Sequence, residues 1–133
     1  MYSHITLGVH DFERAFSFYS AILAPLNLTL CFCERDVPWA GWQQRDMAWP
    51  QFIITAPFNG EPATAGNGQM TAFIAHSREQ VDEVYRLARS MGARSEGEPG
   101  LRPHYEANYY GAYFRDPDGN KLHVCCRRAE QAD

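Results

Sequence analysis

Two histidines stand out by where the pattern places them. In "HITLGV", residues 4 to 9, strand alternation sends Ile5, Leu7 and Val9 to one face and His4, Thr6 and Gly8 to the other. In "KLHVCC", residues 121 to 126, it sends Lys121, His123 and Cys125 opposite Leu122, Val124 and Cys126. Two strands far apart in the chain thus each hold an imidazole away from an aliphatic face, as a shared site would require. Either histidine alone reads equally as a hydrogen-bonded structural residue. A second set is aromatic: Trp39, Trp42 and Trp49 with Tyr109, Tyr110 and Tyr113 could line a pocket by stacking and by presenting polar tips, or could serve as core or dimer contacts. Trp39 and Trp42 are the better pocket candidates, because proline, glycine and polar neighbours make their segment read as a loop. Cys31 and Cys33 are two apart and Cys125 and Cys126 adjacent, so neither pair has CxxC spacing. They read as small buried apolar residues, with Cys125 reaching a pocket beside His123 as the lesser alternative.

The composition bounds the function. The 133 residues are 45% apolar and 14% aromatic, enough for one packed domain or two small modules sharing a core. A net charge of -4, with no basic run beyond Arg127 and Arg128, argues against nucleic acid as a partner. No apolar stretch approaches the roughly 20 residues that cross a bilayer, and no secretory signal is present, so the expectation is a cytoplasmic protein without a membrane partner.

The elements that must position these residues repeat. After the first strand, Asp11 caps a helix that carries Phe12, Ala15, Phe16, Tyr19, Ile22 and Leu23 on its apolar face and ends at Pro25. Strands follow over 26 to 34 and in "PQFIITAP", with the pairing of "RDVPWAGWQQRDMAWP" between them left open. "PFNGEPATAGNGQ" reads as a connector. Then "MTAFIA" is strand-like, Ser77 and Gln80 form a capping box, Val81, Val84, Tyr85 and Ala88 make an apolar face, and Gly92 sits at the C-terminal cap. Met70 aligns with His4, His76 with His10, Ser77 with Asp11, Val81 with Ala15 and Tyr85 with Tyr19, each pair 66 positions apart. The expected organisation is α+β, with two paired βαβββ modules over 1–58 and 70–133 joined by 59–69.

"HITLGVHDFERAFSFYSAIL", the "GNG" of the connector and "YYGAYFRDPDGNKLHVCC" together resemble the vicinal oxygen chelate superfamily, which holds glyoxalase I, bleomycin-resistance proteins and extradiol dioxygenases. The resemblance implies sheets curled around a cavity, commonly in a homodimer that binds a small molecule. It also implies four strand positions for metal ligands, here His4, Met70, Ile53 and His123. Relatives often have histidine where this chain has Met70 and an acidic residue where it has His123. A thioether and an aliphatic chain are poor donors for zinc, nickel, iron or manganese, which leaves two imidazoles. Glu106, from "RPHYEANYYG", would complete a two-histidine, one-carboxylate set or act as the base, and His104 and Tyr110 with Met70, Trp39 and Trp42 would face the ligand. Two functions follow from the resemblance: a divalent-metal lyase, isomerase or dioxygenase with an altered site, or a metal-free binding protein of the bleomycin-resistance type.

Overall fold

The computed structural model describes residues 1–130; the last three residues of the expected second module, 131–133, lie outside the described residues. The first half runs β1 (His4–Gly8), α1 (Phe12–Leu23), β2 (Leu28–Glu34), β3 (Trp39–Gln44) and β4 (Gln51–Thr55). The second runs β5 (Thr71–Ile74), α2 (Arg78–Ser90), β6 (Arg94–Leu101), β7 (Tyr110–Arg115) and β8 (Lys121–Cys126). Each half forms one four-stranded mixed sheet, ordered β1-β4-β3-β2 and β5-β8-β7-β6. The first strand of each sheet pairs in parallel with the last, and the remaining pairs are antiparallel.

Both helices begin where the capping chemistry places them. Asp11 accepts from the Arg14 amide at 3.1 Å, and Ser77 Oγ accepts from the Gln80 amide at 3.2 Å. Gln80 Oε1 reaches back to the His76 amide, one residue before the cap, while its Nε2 donates to the Pro25 carbonyl in the other half. Gly92, at φ +89°, takes the left-handed conformation that closes α2. Differences from the sequence reading are local. Ala24–Leu26 form a 3-10 turn rather than the start of a strand, because Pro25 suits a helical first turn and Asn27 then reverses the chain at φ +60°. The undecided segment after Glu34 supplies β3. Cys31 is exposed, not buried, and its Sγ donates to the Gly41 carbonyl.

One hydrophobic core serves both halves. Helix α1 packs on α2 as well as on its own sheet. That explains Phe18, which lies off the predicted face of α1 yet is fully buried against Phe114 of β7 at 6.4 Å. Phe52 of β4 likewise meets Phe73 of β5 edge-on at 5.0 Å. Besides the Gln80–Pro25 bond, the polar tie between the halves is the turn after β7. Asp116 is 4% exposed. Its Oδ1 accepts from the amides of Asp118 and Asn120, and its Oδ2 accepts from Asn120 Nδ2 and, at 2.5 Å, from the Tyr19 hydroxyl of α1. Asp118 takes the His10 amide at 2.7 Å, and Asn120 Nδ2 reaches the Gly8 carbonyl at 3.2 Å. The sequence DPDGN is therefore both a turn and the clasp that holds the second sheet to the end of β1 and the start of α1.

Burial, reinforced by the Asp116 charge, raises the Tyr19 pKa well above its ordinary value, so the hydroxyl stays a donor. Tyr19→Phe leaves a buried carboxylate one donor short and is expected to cost about 1–3 kcal/mol in urea unfolding. An unchanged midpoint would show that the clasp does not depend on this bond.

Candidate functional site

Strand pairing gives each sheet one face under its helix and one face without a helix. Thr6 pairs with Ile53 in the first sheet, and Ala72 with His123 in the second. Because 6 and 72 stand in the same 66-residue relation as 4 and 70, Ile53 and His123 occupy equivalent positions on the two open faces. His4 lies diagonal to Ile53, and Met70 diagonal to His123.

The His123 ring is 1% exposed and fully engaged. Nδ1 lies 2.8 Å from the Ala112 carbonyl, which can only accept, so Nδ1 carries the proton. Nε2 then accepts from the Tyr109 hydroxyl, also at 2.8 Å. The imidazole is stacked on Tyr113 at 4.0 Å and parallel to Tyr109 at 5.8 Å. Gly111 makes the room: a Cβ there would stand 2.6 Å from His123 Cε1. Burial lowers the His123 pKa, and the charges of Arg102, Lys121 and Arg127 lower it further, while the Ala112 bond opposes them. Burial pushes the Tyr113 hydroxyl up to about 12, with the neighbouring Tyr105 hydroxyl adding to the shift.

The four strand positions therefore make a poor metal site. His4 is exposed, with Nδ1 2.9 Å from Ser3 Oγ. Met70 is a half-exposed thioether, and Ile53 is a buried aliphatic chain. His123 has no free lone pair, since one nitrogen holds a proton and the other accepts one. Among the described residues no three His, Cys, Asp or Glu side chains converge to hold an ion. Glu106 does not join the histidines; its carboxylate pairs with Arg127, whose guanidinium also lies 5.0 Å from the Tyr109 ring.

The other candidates divide. His104 lies against Tyr105 at the surface, the rings 4.2 Å apart and tilted by 45°. Tyr110 turns to the helix side and donates to Asp82 of α2 at 2.6 Å, with Arg78 over its ring. Trp39 packs at 4.5 Å against Phe32, which lies across Gly41 on the open face of the first sheet. Trp42 is a core residue, 3% exposed against Phe16, Tyr19 and Phe52, with part of its ring at the wall of a hollow.

That hollow is one of two along the seam where β1 and β5 approach, both of which include Ile5 and Thr71. The first, about 440 Å³, is bounded by Thr6, Gly68, Gln69, Met70 and Lys121 among others. The second, about 200 Å³, is mostly apolar, walled by Leu26, Leu28, Trp42, Phe52, Phe73 and Ile74. Sequence reasoning placed Lys121 on the His123 face without assigning it a role, and it passed over Arg102. The signal for Arg102 was the glycine spacing of "EGEPGLR", which leaves β6 without side chains beside it.

The glyoxalase/bleomycin resistance protein/dioxygenase superfamily model matches residues 2–124. The chain belongs to that superfamily. Among solved structures, a glyoxalase/bleomycin resistance protein from Albidiferax ferrireducens T118 is 36% identical with a TM-score of 0.85, over 96% of this chain and 99% of that one. A glyoxalase/bleomycin resistance protein/dioxygenase family enzyme from Burkholderia phytofirmans PsJN is 18% identical with a TM-score of 0.73, over 95% and 98%. A fosfomycin resistance protein from Listeria monocytogenes is 19% identical with a TM-score of 0.67, over 95% and 92%. These last two share the fold. No curated protein matches the chain. Membership of the superfamily bears out the resemblance drawn from the strand, helix and turn motifs, and the two four-stranded sheets with two helices bear out the expected fold.

Two measurements probe the histidine of this superfamily member. Gly111→Ala is expected to lose about 1–3 kcal/mol of stability by overpacking against His123; a neutral result in urea unfolding would mean the ring is free to move. Because the folded pKa of His123 lies below its ordinary 6.5, the unfolded chain binds the extra proton. The contribution is complete above pH 6.5 and is lost as pH falls through the folded pKa. Urea midpoints at pH 7.5, 6.5 and 5.5 should therefore decline in the parent and decline less in His123→Gln; equal slopes would remove His123 as the source.

Proposed function

We propose that this protein binds a small organic molecule in the hollows of the β1–β5 seam, without a metal held at the four strand positions of its superfamily. The observation that carries the reading is the donor set: a thioether, an aliphatic chain and a spent imidazole stand where ligands would be required, beside a cavity large enough for a small ligand. Loss of donors with retention of the cavity fits a binding role better than lyase, isomerase or dioxygenase chemistry through that metal site. His4 is the one donor that keeps its freedom, and one imidazole holds a divalent ion weakly.

The reading includes a homodimer as the working form. Ile5, Met70 and Ile74 are exposed at the seam, and Leu30, Trp39 and Trp49 are exposed on or beside the first sheet. Apolar surface of this kind is what subunit contacts cover. No helix among the described residues is long and apolar enough to cross a membrane.

Elemental analysis of purified protein after incubation with iron(II), zinc, nickel and manganese should find less than one equivalent of each, unchanged by His4→Ala. Thermal shifts from small-molecule ligands should persist in chelator. One equivalent of metal, lost in both His4→Ala and His123→Ala, would overturn the reading. Sedimentation velocity should show a dimer; a monomer at all concentrations would remove that part of it.

A further inference from the structure

The protein carries net negative charge, yet the open face of its second sheet gathers cations on one tyrosine. The Lys121 ammonium lies 5.4 Å and the Arg102 guanidinium 5.6 Å from the centre of the Tyr113 ring, whose own plane is stacked on His123. Neither cation forms an ion pair among the described residues. Glu96, whose carboxyl feels the Lys121 charge, is already held by Arg115 at 3.1 Å and Arg94 at 3.5 Å. Glu106 is held by Arg127.

Arg102 is built into its place. Cβ atoms at Gly97 and Gly100 would each come 3.2 Å from its guanidinium nitrogens. The absence of those side chains lets the group lie along β6, where Nη2 donates to the Glu98 carbonyl at 2.9 Å. Two neutral carbonyls, the second that of Leu101 at 3.4 Å, orient the guanidinium without neutralising it. Among the described residues Lys121 is the only charged one lining the 440 Å³ hollow, where Thr6, Gln69 and Thr71 add polar groups and no carboxylate of those residues appears.

From this juxtaposition we infer that the open face of the second sheet, where it borders the seam hollow that Lys121 lines, selects a small oxyanion, a carboxylate or a phosphonate, held over the Tyr113 ring by the Lys121 ammonium and the carbonyl-anchored guanidinium of Arg102. The inference rests on the proposed binding role of the hollow and adds the chemical class of its ligand. An anion restores the compensation the two cations lack within the chain, and a carboxylate partner inside the hollow would have defeated it. The aromatic ring that both cations approach keeps them near one spot without cancelling their charge. A phosphonate and a carboxylate share this recognition and differ in charge and oxygen count.

The test is calorimetric titration of the full chain at low ionic strength with benzoate, phenylphosphonate, inorganic phosphate and neutral benzamide. At least one oxyanion should bind at least tenfold more tightly than benzamide, and the comparison of benzoate with phenylphosphonate identifies which headgroup is preferred. Lys121→Met and Arg102→Met should each weaken that binding about tenfold, Lys121→Arg should largely restore it, and Arg86→Ala, on the outer side of α2, should leave it unchanged. Gly97→Ala retains every charge while crowding both the guanidinium and the Tyr113 ring the two cations share, so it should also weaken binding; this variant keeps the test open if Arg102→Met fails to fold. Benzamide binding as tightly as the anions, or anion affinity unmoved by Lys121→Met and Gly97→Ala, would overturn the inference while leaving a binding hollow. Failure of every probe, neutral and anionic, would overturn the binding role together with it.

Discussion

The buried carboxylate of Asp116 is the constraint on which the two-sheet arrangement turns. It accepts from two backbone amides of its own turn, from one side-chain amide and from a hydroxyl on a helix of the other half. A charged group at 4% exposure is tolerable only when its oxygens are saturated in this way. Because three of the donors are local, the carboxylate is oriented by the turn before α1 reaches it. Because the fourth is Tyr19, the relative position of the sheets is specified by a directional bond as well as by apolar packing, which by itself tolerates sliding. Phe18 on Phe114 and Phe52 on Phe73 then fill the volume that this geometry leaves.

The two halves share a scaffold and differ in what their open faces carry. In the first sheet, Gly41 admits Phe32, which packs beside Trp39, and the equivalent of His123 is Ile53. In the second, Gly111 admits an imidazole, and the neighbouring tyrosine collects a lysine and an arginine. One half has thus been given over to apolar surface and the other to polar recognition. The depressed pKa of His123 belongs to the same picture: a neutral ring can lie between two phenols and beneath three cations, whereas an imidazolium would be both desolvated and repelled.

Much of this was legible in the residues because it is local. Helix starts at Asp11 and Ser77, the stop at Gly92 and the constant spacing between the first strands and helices of the two halves depend on side-chain chemistry within a few positions. Strand β3 escaped because its partner β2 shifts register between Leu30 and Phe32, and because Trp42 faces the core while Gly41 carries no side chain to continue the alternation. In strand β6 the glycines at 97 and 100 admit Arg102, a role that only the fold reveals. At the site, the face of His123 could be read from alternation. The partners that occupy both its nitrogens could not, since Tyr109 and Ala112 reach it across a turn. Glu106 carried the right chemistry and met Arg127 first.

The clasp also imposes an order in time. Tyr19 and Asp116 are 97 residues apart, so at roughly 5–20 residues per second a ribosome delivers the acceptor about 5–20 s after the donor. During that interval α1 has its own sheet to fold against but no partner for its hydroxyl, and Phe18 has no Phe114 to cover it. The inner side of α1 must stay hydrated, or be shielded by something else, until β7 and the turn after it have emerged. A stall or a premature stop anywhere between the two halves would release a protein whose more apolar helix face is open, which makes the DPDGN turn the step that covers it.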